Sequence, residues 1–139
     1  MPHYLLDTNA IIALLGATTT RAKAAITQRL RTHNPRDVLL SSLVMHELFF
    51  GAFKSARVAL NLAVVDGIAL EVLAFDKEDA RASGEVSAFL ANKGRPIGPY
   101  DVLIAGQARA RGLILVTHNV REFSRVPDLL IEDWERPSN

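Results

Sequence analysis

The chain has 139 residues, 49% of them hydrophobic and none of them cysteine, with a formal net charge of +1. That length suits a single domain over residues 1–139 with a sizeable core, and the absent thiols exclude disulfides, thiolate metal sites and cysteine nucleophiles. The charge is too small to announce a nucleic-acid binder, and no apolar run approaches the roughly 18 residues that span a bilayer; with no charged segment ahead of an early hydrophobic stretch, the expectation is a soluble cytoplasmic protein.

Tyr4-Leu5-Leu6 reads as a strand, and the second apolar run, Ala10 to Leu15, as a short helix directly behind Asp7. Thr18-Thr19-Thr20 offers caps for a second helix, with Ala22, Ala25, Ile26 and Leu30 on one face, and Asn34-Pro35 stops it. Val38-Leu39-Leu40 has strand length, and Ser41-Ser42 caps a helix holding Leu43, Val44, Glu47, Leu48 and Phe50. Ser55 starts a further helix that ends near Gly67. Ala69 to Phe75 is the next strand. Asp76, with Asp79 three residues on, caps a helix of about four turns ending at Asn92-Lys93-Gly94. After the stiff loop Arg95 to Tyr100, Asp101 opens a helix to Arg111, closed by Gly112. Leu113 to Thr117 is a strand; a polar loop and a short apolar run, Leu129 to Ile131, follow, and Pro137-Ser138-Asn139 frays. Strands separated by helices predict an α/β fold: a parallel sheet of four to five strands with helices on both faces.

Four positions carry the chemistry: Asp7 after the first strand, Glu47 inside the helix after the second, Asp101 at a helix start, and Asn119 with Glu122 after the fourth strand. Ligands of open α/β sheets bind at the carboxyl ends of the strands, and most of these residues fall there. Each has a plain alternative. Asp7 and Asp101 can cap helices, Asn119 can serve as a turn residue, and Glu47 can lie on the surface. Glu47 sits among apolar neighbours, however, and a half-buried carboxylate needs a partner. Three converging carboxylates repel one another, and a divalent cation relieves that repulsion. Oxygen ligands without cysteine or clustered histidine favour Mg²⁺ or Mn²⁺, and such an ion supports phosphodiester hydrolysis. Thr8 and Asn9 supply short polar groups beside Asp7, and Thr117 either orients a water or merely finishes its strand.

The segments Leu5-Leu6-Asp7-Thr8-Asn9, His46-Glu47-Leu48 with Gly51-Ala52, Ile97-Gly98-Pro99-Tyr100-Asp101 with Ile104-Ala105-Gly106, and Val116-Thr117-His118-Asn119 resemble the PIN-domain ribonucleases, specifically the VapC toxins of type II toxin–antitoxin systems. The tail Arg121-Glu122-Phe123, Arg125-Val126-Pro127 and Glu132-Asp133-Trp134 extends the resemblance over nearly the whole chain. It implies a three-layer PIN fold and a Mg²⁺- or Mn²⁺-dependent endoribonuclease acting on structured RNA, with a lean towards tRNA. It also implies a homodimer and a cognate VapB-like antitoxin that blocks the site. By motif match, Asp7, Glu47 and Asp101 form the acidic core. Asn119 stands where many members have an Asp; it can still position a water, and Glu122 is close enough to serve as the fourth acid. Arg95, Arg121 and Arg125 lie near the site loops and can hold RNA phosphates or form rim salt bridges. Tyr100 either stacks a base or packs in the core, and His118 is a structural, RNA-touching or basic residue.

Three rivals stand beside this reading. A phosphatase of the haloacid dehalogenase class also begins with a strand and a nucleophilic Asp, but needs a second Asp where this chain has Asn9. A non-catalytic partner-binding or corepressor domain would use Phe49, Phe50 and Phe53 as an interface. A metal-free ribonuclease would rest on histidine instead of the carboxylates.

Overall fold

The structure is a computed structural model that describes residues 3–136. Five strands form one parallel sheet: β1 (Tyr4–Leu6), β2 (Val38–Ser41), β3 (Glu71–Leu73), β4 (Ile114–Val116) and β5 (Leu130–Glu132), in the order β3-β2-β1-β4-β5. The inner strands β1 and β2 are buried throughout, as unbroken apolar runs covered on both sides must be. Among the described residues the seven α-helices are α1 (Thr8–Leu15), α2 (Arg21–Arg31), α3 (Ser42–Lys54), α4 (Val58–Asp66), α5 (Lys77–Asn92), α6 (Pro99–Ala110) and α7 (Val120–Phe123). From β1 the chain builds outward to β2 and β3, then returns to place β4 on the other side of β1. Right-handed crossovers therefore put α1 to α4 over one face and α5 to α7 over the other. The contacts agree: α1 packs on α2 and α3, α3 on α4, and α5 on α6. The reversal point lies between β1 and β4, where the Asp7 N–H still donates to Val116 O at 3.0 Å.

Helix signals are local, and most were readable. Thr20 accepts from the Lys23 N–H, Ser41 from Leu43, and Asp76 and Asp79 form a reciprocal capping box. Gly94 and Gly112 take φ of +65° and +64° just past their helices, the left-handed conformation glycine adopts without cost.

Five expectations are corrected. Ser55 does not start a helix; it ends α3, its hydroxyl donating to Ala52 O at 2.7 Å and accepting from Asn61 at 2.8 Å, and α4 begins at Val58. The strand expected over Ala69 to Phe75 shrinks to three residues, because β3 is an exposed edge that only β2 pairs. The Leu113 to Thr117 strand is likewise shorter, Ile114–Val116, with the Thr117 N–H still donating to Glu132 O at 3.0 Å. Asp101 does not open its helix: Pro99 does, its missing N–H costing nothing at the first position, so Asp101 sits inside the first turn. The polar loop after β4 contains the single turn α7, too short to show a period. The expected fraying of Pro137-Ser138-Asn139 lies outside the described residues.

One contact between α5 and α6 is tight enough to test. A Cβ built on Gly106 falls 2.5 Å from both Cα and Cβ of Ser83, which is 3% exposed. Gly106→Ala must push the two helices apart and should cost about 1–3 kcal/mol of stability, measured as a lower urea midpoint at unchanged slope. The same change at Gly84, whose Cβ meets nothing within 4 Å, should not destabilise.

Candidate metal centre at the carboxyl edge of the sheet

Asp7 follows β1 directly and is 6% exposed. Its Oδ1 accepts from the Ala10 N–H at 2.8 Å, so the capping role read as an alternative is real and coexists with a place in the site. Burial raises its carboxyl above the ordinary range, and the charges of Glu135 and Glu47 add to the rise; the Thr117 hydroxyl and the Ala10 N–H partly offset it. Ser41 sets the start of α3, and Glu47 then lies half-buried with Oε1 accepting from Thr8 Oγ1 at 2.8 Å. Asp101, from the first turn of α6, is pushed up to about 6, first by burial and then by the charges of Glu122, Asp7 and Glu47.

These side chains share one cavity of about 590 Å³, lined by Asp7, Thr8, Asn9, Ile12, His46, Glu47, Phe50, Tyr100 and Asp101. Three helices and one strand end thus bring together residues up to 94 positions apart. Tyr100 is at the rim, 42% exposed, and not in the core. Asn9 offers a carboxamide where a phosphatase would need its acid.

Asn119 and Glu122 lie in the loop and turn after β4 and bond to each other. Glu122 Oε1 accepts from the Gly98 N–H and Oε2 from Asn119 Nδ2, both at 2.9 Å. Those two bonds, the Asn119 one first, hold its carboxyl below the usual range. The pair buttresses the turn that launches α6, and Glu122 contributes negative charge beside Asp101. Asn119 is oriented in turn by its N–H, which donates to Thr117 Oγ1 at 3.0 Å. Arg125 reaches Pro96 O at 3.3 Å and attracts Glu122, which makes it a brace of the same turn. Arg95 and Arg121 are exposed.

Reading the sequence missed Glu135, whose charge acts on Asp7. The chain-order pattern held a clue, since residues just past β5 arrive at the same edge as those past β1 and β4. Glu135 belongs to a second group: His118 Nδ1 lies 3.0 Å from Asp133 Oδ2 and 3.7 Å from Glu135 Oε2. Arg136 also pairs with Asp133, at 3.3 Å. Among the described residues, His118, Asp133 and Glu135 are the set whose ligand atoms all lie within 4.8 Å of one another. Asp7, Glu47 and Asp101 line one cavity without forming so tight a set. Their donor set, oxygen only, together with two carboxyls raised by burial and mutual repulsion, fits a hard divalent ion.

The PIN domain family model matches residues 4–129. The tRNA(fMet)-specific endonuclease VapC of Salmonella typhimurium is 44% identical over 136 residues, covering 96% of this chain and 99% of the relative. Ribonuclease VapC2 of Haemophilus influenzae is 37% identical with the same coverage of each. The crystal structure of DNA-bound VapBC from Salmonella typhimurium superposes with a TM-score of 0.87 at 43% identity, over 96% of this chain and 99% of that one.

The electrostatics give a pH signature. A carboxyl raised from 3.8 to about 6 on folding contributes stability that is fully present below its unfolded value and lost as pH rises through 6. In metal-free protein, Asp101→Asn should therefore melt above wild type at pH 8, with the gap narrowing below pH 6 and closing by about pH 3.5, where Asp101 is protonated in the folded and the unfolded chain alike. Scanning calorimetry at both pH values checks this; an equal gap at both would contradict it.

Proposed function

Because the chain belongs to the PIN-domain family, within its VapC ribonucleases, we propose that it is a Mg²⁺-dependent endoribonuclease toxin of the cytoplasm, with Mn²⁺ an effective substitute. The observation that carries this reading is the convergence of Asp7, Glu47 and Asp101 on one cavity at the reversal point of the sheet. Asp7, Glu47 and Asp101 would hold the ion. When bound, it supplies Lewis-acid polarisation of the phosphoryl oxygen and neutralises charge that develops on it. Thr8 fixes Glu47 by occupying Oε1, leaving Oε2 to accept a proton from the attacking water. Asp101, raised to about 6 by burial and its acidic neighbours, would face the ion as a carboxylate. Thr117 steadies the Asp7 carboxyl, and Asn119 with Glu122 holds the Gly98 turn so that Asp101 keeps its place. Arg95 and Arg121, free at the surface, and Arg125 at the brace supply positive charge for RNA phosphates.

The substrate class follows from the relative named a tRNA(fMet)-specific endonuclease: we take tRNA as the target. The partner follows from the VapBC complex: a VapB-like antitoxin, binding a toxin homodimer built of one domain per chain. An apolar groove of about 530 Å³ between α1, α3 and α4, lined by Leu15, Leu48, Ala52, Leu60 and Val64, shares Ile12 and Glu47 with the acidic cavity. An amphipathic antitoxin segment seated there would reach the site and block it.

Three outcomes are expected. Asp7→Asn keeps a carboxamide oxygen for the Ala10 cap, so the fold survives by circular dichroism while tRNA cleavage and growth arrest fall to background. Retained toxicity with an unchanged melting curve would refute the assignment. Excess EDTA stops cleavage by the wild type and added Mg²⁺ restores it; full activity in EDTA would instead support the histidine-based rival. Val64→Glu, at an exposed position in the groove, should weaken neutralisation by the antitoxin in a co-expression assay while leaving tRNA cleavage unchanged.

A further inference from the structure

The acidic cavity is aromatic where it opens to solvent. His46 and Tyr100 each stand one residue ahead of a carboxylate and come from different helices, α3 and α6. Their rings meet at the mouth, with centroids 5.7 Å apart at 33°, and Tyr100 Oη lies 3.3 Å from His46 Nε2. Phe50 is one turn along α3 from His46, lines the same cavity, and is 61% exposed. A further turn brings Lys54, whose Nζ lies 5.6 Å from the centre of the Phe50 ring. Residues four apart share a helix face, so α3 presents ring, ring and cation in a row that starts beside Glu47 and leads outward. Large exposed apolar groups bordering a polar cleft mark a binding surface.

This combination suits one ligand chemistry. The acidic floor repels phosphate except through a cation, whereas a nucleobase is neutral and has two π faces that stack on such rings. Sequence-tolerant single-strand binding combines aromatic platforms with basic groups that follow the backbone. The bases of a duplex are already stacked and have no face to offer these rings. Resting on the ribonuclease reading above, we infer that His46, Tyr100 and Phe50 form a stacking track for unpaired nucleotides flanking the scissile phosphate, with Lys54 receiving a backbone phosphate further out. The track selects looped or single-stranded RNA, independently of the carboxylates that cut it.

The test uses the full chain with Mg²⁺ and synthetic tRNA(fMet) fragments spanning the mapped cut. One set carries intact nucleotides, and the other an abasic nucleotide on either side of the cut. On intact fragments, Tyr100→Ala and Phe50→Ala should each lose about ten-fold or more in kcat/KM, mainly through KM, and Tyr100→Phe should retain wild-type values. Wild type should lose a similar factor on the abasic fragment, where the alanine variants cost nothing further. An equal loss by the variants on both substrates would overturn the track, since it would report general damage to the site. Unchanged cleavage by Phe50→Ala with weaker binding of the antitoxin would also overturn it, by assigning the face to a protein partner. Cleavage by wild type that ignores the missing base sinks the track alone, whereas wild type that cuts no RNA sinks the ribonuclease reading and the track together.

Discussion

Crowding of like charge at the carboxyl edge of the sheet is the constraint on which the rest of this molecule depends. Asp7 follows β1, Asp101 sits in the first turn of α6 beside it, Glu47 leans in from α3, and Glu122 and Glu135 add charge from the flanks. A folded chain would ordinarily avoid this, because burial and repulsion both penalise ionised carboxylates. Here the surrounding structure enforces it. The reversal of strand order between β1 and β4 opens a crevice, and the cap at Ala10, the Thr8 hydroxyl and the brace on the Gly98 turn hold three carboxyl groups in it. A divalent cation held there would relieve that repulsion.

The supports divide into those that aim the carboxylates and those that hold the scaffold. Thr8 and Thr117 act directly on Glu47 and Asp7. The Asn119–Glu122–Gly98 linkage acts one step removed, tying a single turn of helix to the start of another. Further away, Asp79 is held below the ordinary carboxylate range despite its burial, because Arg111 donates to both of its oxygens, at 3.1 and 2.8 Å, and Gln107 adds a third bond. Arg111 also reaches Ala74 O at 2.7 Å, so this network fastens α5 and α6 to the end of β3. It fixes where α6 lies, and hence where Asp101 points.

Much of this was legible in the sequence because its signals are local. A three-residue apolar strand, a carboxylate and an immediate helix identify Asp7 without reference to the rest of the chain. Ser41, Asp76 and Gly94 announce their caps by residue type alone. Glu47 stood out because a carboxylate among Leu48, Phe49 and Phe50 has no comfortable place on a helix. What escaped notice depends on tertiary arrangement. No spacing rule shows that the two oxygens of Glu122 accept from Gly98 and Asn119, which gives this residue a part in holding the turn before α6. Strands β3 and β4 were expected to be longer because pairing, not composition, ends them. Glu135 reaches Asp7 only through the return of the last strand to the sheet.

Two sets of side chains at this edge could take an ion: the open set Asp7, Glu47 and Asp101, and the tighter set His118, Asp133 and Glu135. Calorimetric titration of Mn²⁺ into metal-free protein, in buffers of different ionisation enthalpy, separates them. Loading the Asp101 site must displace its proton, so wild type should release protons at pH 6 and few at pH 8, and Asp101→Asn should lose the binding. Binding that survives Asp101→Asn undiminished and disappears in Asp133→Asn would contradict the account.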